Sequence, residues 1–160
     1  MARDRDPENA MLTRAVAGAL VKLGEAALNA GAAQSARAAF HESAAIRLHF
    51  ADTAPDDRRA AYALAVALER LGLAALACGD RNAARGAWEE ELMLAERLFA
   101  NDDSIEGIRF RAIVHAHLAD VGGAHGEDHR TQSMALFDIL AKAGVITERE
   151  AALRKKLWGG

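Results

Sequence analysis

The chain is 160 residues long, 51% hydrophobic but only 5% aromatic, with a formal net charge of −3 and a single cysteine. Both signs of charge are interspersed and no basic stripe appears, which argues against a nucleic-acid partner. Alanine, leucine, glutamate and arginine dominate over β-branched residues, so the composition predicts helix, and the length suits one domain, 1–160, with its own core.

The opening MARDRDPENA is charged and leads into no apolar run, so no secretory signal is expected. The apolar stretches read as broken by charge or glycine short of the ~20 residues a bilayer span requires. A cytoplasmic protein without a membrane partner is the expectation. A first helix is predicted over about 8–29, with Asp6, Pro7 and Glu8 at its start and Leu12, Val16, Leu20, Leu23 and Leu28 near a helical period. Gly31 ends it. A second helix, about 33–52, carries Phe40, Ile46 and Phe50 on one side.

After Thr53-Ala54-Pro55 a third helix is expected over about 56–78, with Asp56 and Asp57 in its first turn. Gly79 closes it and Asp80 offers an N-cap for a fourth at 81–100. A turn at 101–104 precedes a fifth helix at 105–121. The glycine-rich run 122–126 breaks the chain before a sixth at about 129–143. Thr147 and Glu150 form a capping-box pattern that opens a last helix to 158.

One segment recurs: ALVKLGEAALNAG at 19–31 returns 48 residues later as ALERLGLAALACG at 67–79, identical at eight of thirteen positions. Five identities are not alanine: Leu20/Leu68, Leu23/Leu71, Gly24/Gly72, Leu28/Leu76 and Gly31/Gly79. The register continues through Ala36/Ala84, Arg37/Arg85, Phe40/Trp88 and Glu42/Glu90. A third copy is degenerate, with Leu118 and Val121 near the places of Leu71 and Ala74, and Phe137 near that of Trp88. The chain therefore reads as an all-α solenoid of about three helical hairpins (8–52, 56–100, 105–143) with a C-terminal capping helix at 147–158. Leu153, Leu157 and Trp158 are expected to face inward in that cap.

These residues resemble the tetratricopeptide repeat. The pattern reads Leu20…Leu23-Gly24…Ala27…Gly31…Ala36…Phe40, and again Leu68…Leu71-Gly72…Ala75…Gly79…Ala84…Trp88. The family repeat is about 34 residues, so this chain resembles a long-helix variant, over residues 17–143. The resemblance implies a concave face lined by the first helix of each hairpin. It places Val21, Glu25 and Asn29 there, then Val66, Glu69, Leu73 and Ala77, and in the third repeat Ile113, Ala116 and Asp120. The lysines and asparagines with which some members clamp a carboxylate terminus are missing from the matching positions. Glu25, Glu69 and Asp120 suggest instead a mildly acidic groove, attractive to a basic or amphipathic helical peptide, unless they pair with neighbours such as Lys22 and Arg70.

Other chemistry is thinly represented. His115 and His117, two apart, fall on different helix faces, whereas His125 and His129 could converge at the glycine-rich turn. No thiolate stands near them, and neither a metal nor any other cofactor is expected. Cys78 reads as a small packing residue. Ser35, Ser43, Ser104 and Ser133 sit in no nucleophile elbow, and no phosphate-cradling loop appears, so no enzymatic activity is expected. Glu89-Glu90-Glu91 reads as a solvated face, while Phe40 and Trp88 read as core anchors against Gly24 and Gly72. The expected function is a protein-interaction module taking a peptide or helix in its concave face. The alternative is a structural subunit that self-associates as a homodimer through exposed apolar helix faces.

Overall fold

The computed structural model describes residues 7–159. Asp6, expected in the first cap, lies outside the described residues. Among them are seven helices and no strand: α1 (Pro7–Asn29), α2 (Ala33–Thr53), α3 (Arg58–Ala77), α4 (Arg81–Phe99), α5 (Ile105–Val121), α6 (Gly126–Lys142) and α7 (Glu148–Trp158). The packing divides into two compact units, one up to Ala87 and the other from Trp88 onward.

Local chemistry sets the helix ends. Asp57 caps α3 by accepting hydrogen bonds from the Arg59 and Ala60 N–H groups, so Asp56 and Asp57 precede this helix instead of filling its first turn. Asp80 Oδ1 accepts from the Ala83 N–H at 2.9 Å at the start of α4, and Thr147 with Glu150 forms the expected capping box. α6 begins at Gly126, earlier than expected, with Glu127 and Asp128 in its first turn, where negative charge suits the helix dipole.

The sequence repeat is also a repeat of hydrogen bonds. Gly31 has φ 77° and Gly79 φ 80°. The Ala32 N–H reaches back to the Ala27 carbonyl as the Asp80 N–H reaches back to that of Ala75. Gly144, φ 70°, repeats the device after α6, with Val145 N–H on the Leu140 carbonyl. Each is a left-handed glycine satisfying the last carbonyls of a helix.

In the first unit α2 packs against both α1 and α3. Ala36, Phe40 and Ala74 form a buried cluster edged by Val21, Ala27, Leu28 and Leu71. Ser43 Oγ donates to the Ala17 carbonyl at 2.9 Å, and Arg37 pairs with Asp80 at 3.0 Å. The side of α1 that faces inward holds Ala17 and Gly24. Leu12, Val16 and Leu23, periodic in the sequence, point outward and are 60%, 49% and 61% exposed. Small residues at the contact let two helix backbones approach, which leaves Leu12, Val16 and Leu23 on the opposite face.

The second unit buries Ile108, Ala112, Ala116, Phe137, Leu140 and Leu157 together. Trp88 is fully buried and stacks on His117, ring centroids 4.7 Å apart. Ser133 Oγ donates to the Ala112 carbonyl at 2.7 Å, a second serine tie between paired helices. α7 is strapped down by Arg109, which binds Glu150 and the Val145 carbonyl, by Arg154 on Asp138, and by Arg130 on the Leu157 carbonyl. Leu157 packs inward as expected. Trp158 does not, and stays 61% exposed because the helix ends beside it.

α3 corrects one expectation. By length and composition it would suffice to cross a bilayer, its alanines and leucines outweighing its charges, and 44% of its apolar window is buried inside the protein.

Candidate binding surface

On α3 the residues Val66, Glu69, Arg70, Leu73 and Ala77 follow i, i+3, i+4, i+7, i+11 spacing and so share one stripe. The buried set Ala61, Leu64, Ala65, Ala67, Leu68, Gly72, Ala74 and Ala75 lies off that stripe. Val66, Glu69 and Leu73 are half-buried and Ala77 is exposed. α1 contributes Val21 and Glu25, both half-buried, and the exposed Asn29. Glu25 meets Arg70 at 3.2 Å across the two helices. The structure thus brings the first-unit candidates onto neighbouring stripes of α1 and α3.

Asp120 belongs to the second unit. It pairs with Lys156 at 2.8 Å beside a cavity of about 280 Å³ that Arg130 and His117 also line. Ile113 is half-buried against the core and Ala116 is part of it. Glu25 and Asp120 therefore each carry a cationic partner, which weakens the acidic bias expected of them.

The first unit also holds a cavity of about 400 Å³, lined by Arg14, Ala17, Arg47, Phe50, Asp57, Arg59, Ala60 and Ala63. The Arg14 guanidinium lies 4.3 Å from the centroid of the Phe50 ring. Arg47 Nε donates to Ser43 Oγ at 3.2 Å and its Nη1 to the Ala63 carbonyl at 3.0 Å. Burial lowers the Arg47 pKa. Sequence reasoning missed this site because its arginines come from three helices and form no motif.

The histidines pair differently from expectation. His129 turns to His115, with 2.9 Å between their Nδ1 atoms, while His125 stays exposed near Asp128 at 3.6 Å. Burial, then His129 and Arg111, lowers the His115 pKa to about 4. The His129 pKa is also lowered, by burial first and then by His125, against the opposing pull of Asp128, Glu89 and Glu96. Among the described residues no group of three or more His, Cys, Asp or Glu side chains is placed to hold a metal ion. Glu91 is buried at 2% exposure, not solvated like Glu89 and Glu90, because it lies one turn after Trp88 on the same side of α4.

No protein-family model matches the chain. No curated protein matches it, and no solved structure does. The structure itself defines a class: an all-helical protein of repeat-like helical architecture.

Proposed function

We propose that this protein is a tetratricopeptide-like interaction module, without catalytic activity, that receives a peptide or helix of a protein partner along the α1/α3 face. The observation that carries this reading is the half-exposed stripe Val66, Glu69, Leu73 and Ala77 beside Val21 and Glu25. It mixes apolar and charged side chains on α1 and on the side of α3 that faces away from its buried residues. Such a face offers anchors for a partner's apolar side chains and charges that set register. A partner captured from the native host supplies the test. A Leu73→Asp variant that melts like the parent is expected to bind a peptide from that partner at least about tenfold more weakly, a loss of about 1.4 kcal/mol. Unchanged binding, with loss instead on changing α2 or the 122–125 turn, contradicts the assignment.

A second reading, a homodimer, is favoured by the outer face of α1. Leu12, Ala15, Val16, Ala19, Leu23 and Ala26 are all exposed and recur at spacings of three and four. Burying that stripe against a second copy would supply part of the ~800 Å² per partner that a standard specific interface covers. Light scattering at several concentrations tests it: a mass that rises with concentration in the parent and stays monomeric in Leu12→Glu/Leu23→Glu supports the dimer.

A further inference from the structure

We propose that the cavity between α1, α2 and α3 binds a small organic phosphate: a phosphomonoester dianion on a compact apolar or aromatic body. The cavity lies toward the start of the α1/α3 face, but the inference stands on the arginines and does not require the protein-binding reading.

Charge is the first argument. Arg37, Arg70, Arg109, Arg130 and Arg154 each pair with a carboxylate. Arg14, Arg47 and Arg59 line one cavity and, among the described residues, none of the three has a carboxylate within ion-pairing distance. The one acidic side chain there, Asp57, is engaged through Oδ1 with the Arg59 and Ala60 N–H groups at 2.9 and 3.2 Å. Three guanidiniums against one carboxylate leave an uncompensated positive site, and a dianion answers it better than a monoanion.

Preorganisation is the second. The Ala17 carbonyl accepts from Ser43 Oγ, which accepts from Arg47 Nε, while Arg47 Nη1 donates to the Ala63 carbonyl. One half-buried guanidinium is thereby held by all three helices. Two of its five N–H groups are used, which leaves three donors. Arg14 is braced on the Phe50 ring. Planar guanidiniums fixed in this way match the paired oxygens of a phosphate, whereas a lysine would present only a point charge.

Shape is the third. Ala17, Phe50, Ala60 and Ala63 give the cavity apolar walls. Its volume of about 400 Å³ falls within the range of small-ligand sites. An ester body fits against Phe50 while the phosphate meets the arginines.

Phenyl phosphate, inorganic phosphate, benzoate and phenol, titrated into the isotopically labelled protein, test the proposal. Phenyl phosphate is expected to shift amides of residues 14–17, 47–50 and 57–63 at millimolar concentration or below, more tightly than phosphate or benzoate, with phenol silent. Arg14→Gln and Arg59→Gln, which spare the Arg47 tie, should each weaken it about tenfold and leave the melting temperature unchanged. Added salt should weaken it further. No shift at those amides by about 10 mM phenyl phosphate, undiminished binding to the Arg14→Gln/Arg59→Gln protein, or tighter binding of benzoate than of phenyl phosphate would each overturn it.

Discussion

Gly24 sits against the ring of Phe40 so closely that a β-carbon at position 24 would come within 2.6 Å of Cε1 and 2.8 Å of Cδ1 and Cζ. Phe40 is wholly buried and has nowhere to retreat. A glycine inside a helix forgoes about 1 kcal/mol of helix propensity relative to alanine. Here that loss is the condition for docking α1 on α2.

Gly24→Ala is expected to lower stability by about 1–2 kcal/mol, because overpacking of about 1–3 kcal/mol outweighs the gain in propensity. Gly18→Ala is the control on the same helix. Nothing lies within 4 Å of its added β-carbon, so it should stabilise by up to about 1 kcal/mol. Denaturant melts that place both variants on the same side of the parent contradict the packing argument.

Trp88→Ala removes a fully buried ring stacked on His117. Emptying such a site is expected to cost about 3–5 kcal/mol. Urea titration measures it, and a loss below about 1 kcal/mol contradicts a core role.

Stability should fall as the solution is acidified from about pH 6.5 toward pH 4. His115 in the folded chain takes up its proton only near pH 4, whereas an unfolded imidazole does so near its ordinary 6.5. Between those values the unfolded chain binds more protons, so acid favours it. With Nδ1 atoms 2.9 Å apart, His115 and His129 can share one proton between them but not hold one each. The loss at pH 4 is of order 2–3 kcal/mol. A His115→Gln variant should show a flatter profile over that window, and one as steep as the parent's would place the titrating group elsewhere.

Arg109→Ala should loosen α7. Glu150 is 3% exposed and depends on this guanidinium, which also holds the Val145 carbonyl. An uncompensated buried carboxylate should cost about 3 kcal/mol. Hydrogen exchange should rise first in residues 148–158. Arg109→Ala/Glu150→Gln should recover part of the loss, and failure to recover any locates the damage elsewhere than in the ion pair.

Helices, caps and the repeat were legible in the sequence because each is decided within one or two turns of chain. Asp80 and Thr147 cap as their types require, Gly31 and Gly79 take the left-handed turn that side chains avoid, and the recurring Phe40 and Trp88 are core residues. Tertiary packing decided the rest. Periodicity showed that α1 is amphipathic, yet close approach to α2 selected the side with Ala17 and Gly24 and left Leu12, Val16 and Leu23 in solvent. Glu91, in a run that reads as solvated, was carried inward on the side of Trp88. His115 met His129 rather than leaving it to His125, and Arg70 neutralised Glu25. The arginine-lined cavity exists only because Arg14, Arg47 and Arg59 are brought together from three helices. Hydrogen bonds along a helix span four residues, and their preferences are written locally. Which faces touch depends on the fit of surfaces far apart in the chain, and no short segment carries that information.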